Sequence, residues 1–250
     1  MAGNAQVLLK IDRAATFLAE MEQISTAFDA ECRAATVESY DDQRASYVYR
    51  IKVVPAVPDT FALAFGDAIH NLRTALDHIA RQLVIKADMK PTDGSNGTSF
   101  NIRMAGDSKA VVIPTPADQQ IVDALNAMQP RTLGSDARRH WLSILHQLDL
   151  ADKHRRMLLT VAAVGGASLP VEFDDGPLNL APVGDGDEVA SFQTTRRARA
   201  MSDRRPVVSY FIYVDEPTLT EVAPLGAVYV VRRIREFVLR EVVAPLTPFL

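Results

Sequence analysis

The apolar residues of this chain recur at helical spacing over most of its first 155 positions. Residues 60–87 carry the clearest pattern, a seam with alternating steps of four and three residues, made of Phe65, Ile69, Leu72, Leu76, Ile79 and Leu83. Such a seam is typical of a helix that packs in a bundle. Similar stripes predict helices over residues 5–38, 116–129 and 136–153, and a final helix over about 217–243.

Shorter segments alternate apolar and polar residues, with the two-residue period of a β-strand. Two of them, residues 44–54 and 207–214, are also rich in β-branched and aromatic side chains. Turn-forming Gly and Asp residues separate the segments of the second half. The remaining predicted strands cover residues 99–103, 110–113, 157–164, 169–173 and 189–192.

These segments predict an α+β fold, a helical bundle with a small antiparallel β-sheet in the second half. The chain has 250 residues and 48% of them are hydrophobic, which is enough to bury one sizeable core. We therefore expect a single domain over residues 1–250. Its helical part is expected at about 1–155 and 217–250, and its β-rich part at about 156–216.

Charge and cysteine content narrow the classes of function. The net charge is −4 and the sequence pI about 5.7, so strong non-specific binding to nucleic acid is not favoured, while a local basic patch stays open. The single cysteine, Cys32, cannot form an intramolecular disulfide or a cysteine-based metal site, which favours a cytoplasmic protein. No apolar run is long enough to span a bilayer, so we expect no membrane partner.

Candidate chemistry is concentrated on two of the predicted helices, because all five histidines lie in or next to them. Two belong to the central helix at residues 60–87, and three belong to the helix at 136–153 or directly follow it. In chain order they are His70, His78, His140, His146 and His154. No cofactor is expected, because the sequence has no Gly-rich phosphate loop, nucleophile elbow or His-Glu-x2-His motif.

The polar residues of the central helix fall on two flanks of its apolar seam. At about 100° per residue, His70, Arg73 and Asp77 lie on one flank, and Asn71 and His78 lie on the other. An arginine can hold a phosphate and a histidine can move a proton near neutral pH, so Arg73 and His78 are candidates for a nucleolytic site. They lie about 140° apart on the helix, so such a site would need a second copy of it, and we expect a dimer.

The segment from Arg73 to His78, Arg-Thr-Ala-Leu-Asp-His, resembles the Arg-x4–6-His motif of the HEPN superfamily. That superfamily consists of α-helical proteins and includes many metal-independent RNases. The resemblance covers one helix and carries over to Arg73 and His78 alone. It implies RNA as a partner, with Arg73 holding the phosphate and His78 acting as the acid/base in the cleft of a dimer.

A broader resemblance, over about residues 45–165, is to a family of uncharacterised bacterial and phage proteins. It rests on Gly-Asp-x2-His-Asn-Leu-Arg-x2-Leu-Asp-His at residues 66–78 and on Asp-Lys-His-Arg at residues 152–155. It implies that the polar helical ends at 66–81 and 146–155 form one spatial unit. Further candidates on these ends are His70 and Asp77 for catalysis, and Asn71, His154 and Arg155 for substrate binding.

Two other functions fit the same residues. The polar flanks could form a buried network in a non-enzymatic, homo-oligomeric or interaction protein, since buried charges need partners. Alternatively, a metal-dependent hydrolase could draw its ligands from the two helices, using His70, Asp77, His146 and Asp149. His146 and Asp149 are three residues apart, a spacing that suits two ligands on one helix face.

Overall fold

A computed structural model describes most of the chain, namely residues 2–86, 99–104, 106–107, 119–154, 159–166, 181–193, 207–215, 219 and 225–250. Three expectations lie outside these residues: the strands at 110–113 and 169–173, and the start of the helix at 116–118.

Helices dominate the described chain, which confirms the predicted α+β class. The α-helices are α1 (Ala2–Ala34), α2 (Asp59–Lys86), α3 (Gln119–Ala127), α4 (Trp141–His154), α5 (Ala227–Phe237) and α6 (Ala244–Leu246). A 3₁₀ segment, Pro130–Arg139, precedes α4. A π-helical segment, Val238–Val243, joins α5 to α6, and a 3₁₀ turn follows at Thr247–Phe249.

Within the described residues, the strands form two antiparallel sheets of three strands each. In one sheet the central strand β2 pairs with β1 and β5, and in the other the central strand β3 pairs with β4 and β6. The first sheet takes two strands from before α2, a position not anticipated for the sheet. The strands are β1 (Thr36–Asp41), β2 (Ser46–Ile51), β3 (Leu159–Gly166), β4 (Ala181–Pro182), β5 (Glu188–Gln193) and β6 (Val207–Val214).

The apolar seams expected from the sequence are buried. Every member of the α2 seam from Phe65 to Leu83 is at most 3% exposed. Other small and branched residues of α2 are buried as well, including Ala64, Ala68 and Val84, so the helix is covered on more than one side. Burying each large apolar side chain contributes roughly 1.5–3 kcal/mol, so the seam of α2 is a substantial part of the stability of the core.

The chain clusters into two compact units. The first contains Met1–Ala19, Leu63–Met157 and Val230–Leu250, and therefore every candidate site residue named above. The second contains Glu20–Ala62 and Leu158–Tyr229, and with them all the described strands. The single domain expected from the sequence stays a prediction.

The first helix ends earlier than its spacing indicates. A helix was expected to residue 38, but α1 ends at Ala34 and β1 begins at Thr36. The hydroxyl of Thr36 donates to the carbonyl of Cys32 at 2.9 Å, and the strand then pairs with β2 from Thr36 to Asp41. The sequence has no Gly or Pro at this boundary. The helix ends here because the backbone that follows pairs with the partner strand.

The short strand expected at residues 99–103 does not form, because side chains satisfy the backbone there. The amide of Phe100 donates to Asp77 Oδ1 at 2.8 Å, and the amide of Arg103 donates to Gln129 Oε1 at 2.8 Å. A backbone N–H that has a side-chain acceptor does not need a neighbouring strand. Residues 99–104 are accordingly held as an irregular segment against α2 and the end of α3.

The helix expected over residues 136–153 begins later, at Trp141. The preceding 3₁₀ segment contains Gly134 with φ 56° and ψ −118°, a backbone conformation that suits glycine. His140 is extended, with φ −70° and ψ 134°, and its Nδ1 accepts a hydrogen bond from the amide of Leu142 at 3.2 Å. The imidazole thus acts as the N-cap of α4, a position at which the sequence signal is weak because His is an uncommon cap.

The last helix also differs from its expected bounds of about 217–243. It begins at Ala227, because Gly226 forms a β-bridge with Tyr213. Helical structure then continues through Pro245, past the expected end at about residue 243. The π-helical hydrogen bond from the amide of Ala244 to the carbonyl of Leu239 comes directly before that proline. The wider turn accommodates a residue that has no N–H to donate.

Candidate functional site

The two polar flanks of α2 contact different helices. On one flank, His70 Nδ1 lies 3.5 Å from Asp149 Oδ1 of α4. On the other, Lys10 Nζ of α1 donates to Asn71 Oδ1 at 3.4 Å. The polar ends of α2 and α4 are therefore adjacent, as the broader resemblance implies. The approach of α1 to the opposite flank was not anticipated.

Arg73 is held within the protein and does not lie in an open cleft. Its side chain is only 12% exposed, and its Nη1 lies 3.2 Å from Asp77 Oδ1. Its Nη2 donates to the carbonyl of Phe100 at 3.0 Å, while Asp77 accepts from the amide of the same residue. Arg73 and Asp77 thus form an ion pair within α2, and together they hold the segment at 99–104.

Asp77 is a half-buried carboxylate in this clamp. Burial raises the pKa of Asp77, while Arg73 and the amide of Phe100 act in the opposite direction. The net direction is upward, so removal of water outweighs the two favourable contacts. Nη1 of Arg73 has no hydrogen-bond partner among the described residues, but it is buried, so the protein covers this end of the guanidinium.

His78 lies on the other flank, in a groove between α1 and α2. This α1–α2 groove has a volume of about 360 Å³ and is lined by Gln6, Leu9, Lys10, Arg13, Asn71 and His78. Arg73 is not among the lining residues, so this chain by itself does not bring Arg73 and His78 together. The α1 side of the groove could not be predicted from the sequence, because helical periodicity does not determine which helices meet.

Two positively charged side chains line the α1–α2 groove. The guanidinium carbon of Arg13 lies 4.4 Å from the centroid of the Phe17 ring, a cation–π contact that limits where the arginine can point. Lys10 is bonded to Asn71, whose side chain is buried and also donates to the carbonyl of Asp67 at 2.8 Å. The groove therefore combines two positive charges, a fixed amide and a half-buried imidazole.

Asp149 is the centre of a second group on the α4 side of α2. Its side chain is 5% exposed, and Lys153 Nζ donates to its Oδ2 at 2.7 Å. Its Oδ1 faces His70, whose side chain is 52% exposed. A buried carboxylate needs such partners, because an unpaired one would be strongly disfavoured.

His146 lies near the same carboxylate. Burial lowers the pKa of His146, and the nearby charge of Arg73 lowers it further. Its Nδ1 is buried without a hydrogen-bond partner among the described residues. In that part of the chain, no group of three or more His, Cys, Asp or Glu side chains could hold a metal ion. The set His70, Asp77, His146 and Asp149 is thus close in space but is not a metal centre there.

Thr74 lies one helical turn after His70 and was not singled out in the sequence. Its Oγ1 donates to the carbonyl of His70 at 2.8 Å and lies 3.5 Å from His70 Nε2. The imidazole therefore has Asp149 at one nitrogen and Thr74 at the other. The spacing of four residues between His70 and Thr74 predicts from the sequence that these two side chains are neighbours. The sequence does not predict that Asp149 lies next to them.

α2 and α4 approach closely at Gly66, a residue of α2 that has no side chain. The carboxylate of Asp152 occupies the space in which a Cβ on Gly66 would stand. Burial raises the pKa of Asp152, and the neighbouring Asp149 and Asp67 raise it further. Of the other candidates, His154 ends α4 but its side chain is outside the described set, and Arg155 lies outside the described residues.

Comparison of the chain with protein-family models, with curated proteins and with solved structures found no match. Among the described helices, none has both the length and the apolar character needed to cross a membrane.

Proposed function

We propose that this protein binds RNA and cleaves it without a metal ion, at the α1–α2 groove. The observation that carries the proposal is that His78 lines the same groove as Lys10 and Arg13. Lysine and arginine hold phosphate by charge and hydrogen bonding, and histidine transfers protons near neutral pH. RNA brings its own nucleophile, the 2′-hydroxyl, so a phosphate ligand and a proton acceptor are sufficient groups.

Arg13 takes the role that the HEPN-like motif suggests for Arg73. The side chain of Arg73 is only 12% exposed, pairs with Asp77 and donates to the carbonyl of Phe100, whereas the exposed Arg13 borders the groove. An arginine and a histidine then act together, as in the superfamily that the motif resembles, but they come from two helices of one chain. Asn71 orients Lys10, and His78 accepts the proton of the attacking 2′-hydroxyl. The bond from phosphorus to the 5′-oxygen breaks, that oxygen takes up a proton as it leaves, and the other product is a 2′,3′-cyclic phosphate.

The size and charge of the groove favour a short contact with single-stranded RNA. A volume of about 360 Å³ lies at the lower end of the range for small-ligand pockets. Two cations imply a weak dependence on salt, with log Kobs falling against log salt at a slope of about −1.4 for a single strand. The net charge of −4 elsewhere favours a local contact over wrapping of a long polyanion.

The proposal includes a dimer in the cytoplasm. Leu9 lines the groove and is 67% exposed, and its neighbour Leu8 is 39% exposed, so a second copy packed here would cover two adjacent apolar side chains. The lone thiol of Cys32 is buried and free, in keeping with a reducing compartment. Light scattering of the purified protein measures the first of these, and a monomeric mass at micromolar concentration contradicts it.

The test is cleavage of labelled single-stranded RNA in the presence of EDTA. We expect cleavage by the wild type and a loss of roughly 100-fold or more in His78→Gln, the usual contribution of a positioned acid/base. Lys10→Ala and Arg13→Ala should weaken binding and reduce the salt slope by about 0.7 each. Arg240→Ala is the matched control, since it removes an exposed arginine that does not line the groove.

Two results would overturn the proposal. One is a folded wild-type protein that neither binds nor cleaves RNA of any sequence or structure tested. The other is full cleavage by His78→Gln, which would assign the activity to another site or to a contaminating nuclease.

A further inference from the structure

A carboxylate, an imidazole and a hydroxyl follow one another on the α4 side of α2. Asp149 Oδ1 lies 3.5 Å from His70 Nδ1, and His70 Nε2 lies 3.5 Å from Thr74 Oγ1. This is the order of groups in which a carboxylate orients a histidine and the histidine activates a hydroxyl nucleophile. Both distances are somewhat longer than a working hydrogen bond, which is common when no substrate is bound.

The surroundings of Asp149 assign the tautomer of His70. Lys153 binds Oδ2 of the carboxylate and leaves Oδ1, which has no hydrogen-bond partner among the described residues, facing the imidazole. An ionised carboxylate only accepts hydrogen bonds, so a bond from His70 to Oδ1 requires the proton on Nδ1 and leaves the lone pair on Nε2. That lone pair is directed toward Thr74, where a general base is needed.

Thr74 differs from the other helical threonines whose hydroxyl donates to the carbonyl four residues earlier. Thr16 and Thr26 form the same bond, to Asp12 at 3.1 Å and to Glu22 at 2.8 Å. The carbonyl acceptor of Thr74, in contrast, belongs to a histidine whose ring lies next to the hydroxyl. Rotation about the Cβ–Oγ1 bond is sufficient to redirect the proton of Thr74 from that carbonyl to His70 Nε2.

The array is open to a ligand. The side chain of His70 is 52% exposed and Thr74 is half-buried, whereas Asp149 is covered. The reacting groups can therefore meet a substrate, while the carboxylate that orients them is shielded from water. None of the three lines the α1–α2 groove, so the array is separate from the RNA site proposed above.

We propose that Asp149, His70 and Thr74 form a second reactive site, which hydrolyses carboxylic esters through an acyl-threonine intermediate. Thr74 Oγ1 forms a bond to the carbonyl carbon, the bond to the leaving alcohol breaks, and the hydroxyl proton passes through His70 Nε2 to that alcohol. Water then attacks the acyl-threonine, which releases the carboxylic acid and restores the hydroxyl. Asp149 is a positioning residue that stabilises the imidazolium formed in each half of the reaction.

The experiment is covalent labelling of the full-length protein by a fluorophosphonate, followed by peptide mass spectrometry. We expect one adduct, on Thr74, formed about 100-fold more slowly in His70→Gln, as expected when a general base is lost. Thr74→Val should not be labelled, whereas Thr74→Ser should be. Thr16→Val is the matched control, because it removes the same type of hydroxyl from a position without a histidine.

Hydrolysis of p-nitrophenyl acetate by the same variants separates two roles of His70. If Thr74 is the nucleophile, hydrolysis falls in Thr74→Val and is retained in Thr74→Ser. Hydrolysis that depends on His70 but is unchanged in Thr74→Val would overturn the proposal, since the imidazole alone would then be the nucleophile. An unlabelled wild type, or an adduct at another residue, would also overturn it. Circular dichroism of each variant tests whether a lost signal comes from unfolding.

Discussion

The cap of α4 predicts a specific loss of stability in acid. His140 is buried, its Nδ1 accepts the amide of Leu142, and its ring packs edge-on against Phe237 with centroids 4.9 Å apart. Burial lowers the pKa of His140 to about 4. A backbone N–H can only donate, so protonation of Nδ1 would break the cap, and a positive charge at a helix N-terminus is also unfavourable.

The direction of the effect follows from proton binding. In the unfolded chain His140 titrates near the ordinary histidine pKa of 6.5, so the unfolded chain takes up the proton first as the pH falls. The stability present above pH 6.5 is therefore lost progressively between about 6.5 and 4. At about 1.4 kcal/mol per pKa unit the full shift corresponds to about 3 kcal/mol. Allowing for partial screening by solvent, we expect a loss of about 2 kcal/mol.

The assay is urea unfolding followed by circular dichroism, from about pH 7.5 to about pH 4.5. His140→Asn is the reference, because asparagine accepts the same amide hydrogen bond but does not titrate. The difference in unfolding free energy between wild type and His140→Asn should shrink or reverse as the pH falls. His140→Ala should be less stable by about 1 kcal/mol at about pH 7.5, since it removes the cap, and this difference should also shrink or reverse as the pH falls. Parallel pH profiles for wild type and His140→Asn would refute the reasoning.

Two further predictions concern the packing around α2. Arg73→Met should lower the unfolding free energy in urea by about 1–3 kcal/mol, because Asp77 and the carbonyl of Phe100 lose a partner, while RNA cleavage per folded molecule is kept. Lost cleavage at unchanged stability would instead give Arg73 a functional role. Gly66→Ala should stabilise an Asp152→Ala background by about 1 kcal/mol through helix propensity, but less in the wild type, where the new methyl group meets the Asp152 carboxylate. Strict additivity of the two changes in a double-mutant cycle would contradict this contact.

The part of the fold that could be predicted is the part with a strong local period. The seam of α2 and the strand at Val207–Val214 match their expected positions closely, because each shows its own period over many residues. The end of α1 and the segment at 99–104 could not be predicted in the same way. Their backbone hydrogen bonds go to β2, Asp77 and Gln129, which are distant in sequence or on other elements.

The candidate site, like the fold, could be predicted only in part. Simple helical geometry separates His70, Arg73 and Asp77 from Asn71 and His78, and the structure has them on flanks that contact different helices. The same geometry could not tell that Arg73 would be occupied by the Phe100 carbonyl.

That residues 60–87 form an apolar helix with two polar flanks can be read from the chain alone, since it follows from the rotation per residue along one segment. What each flank faces depends on the packing of the helices. Packing brings Asp149, with its partner Lys153, next to His70, and it brings Lys10 and Arg13 into the groove that His78 lines. Those neighbours depend on how three helices pack against one another, and packing is a property of the whole core that no single helix encodes.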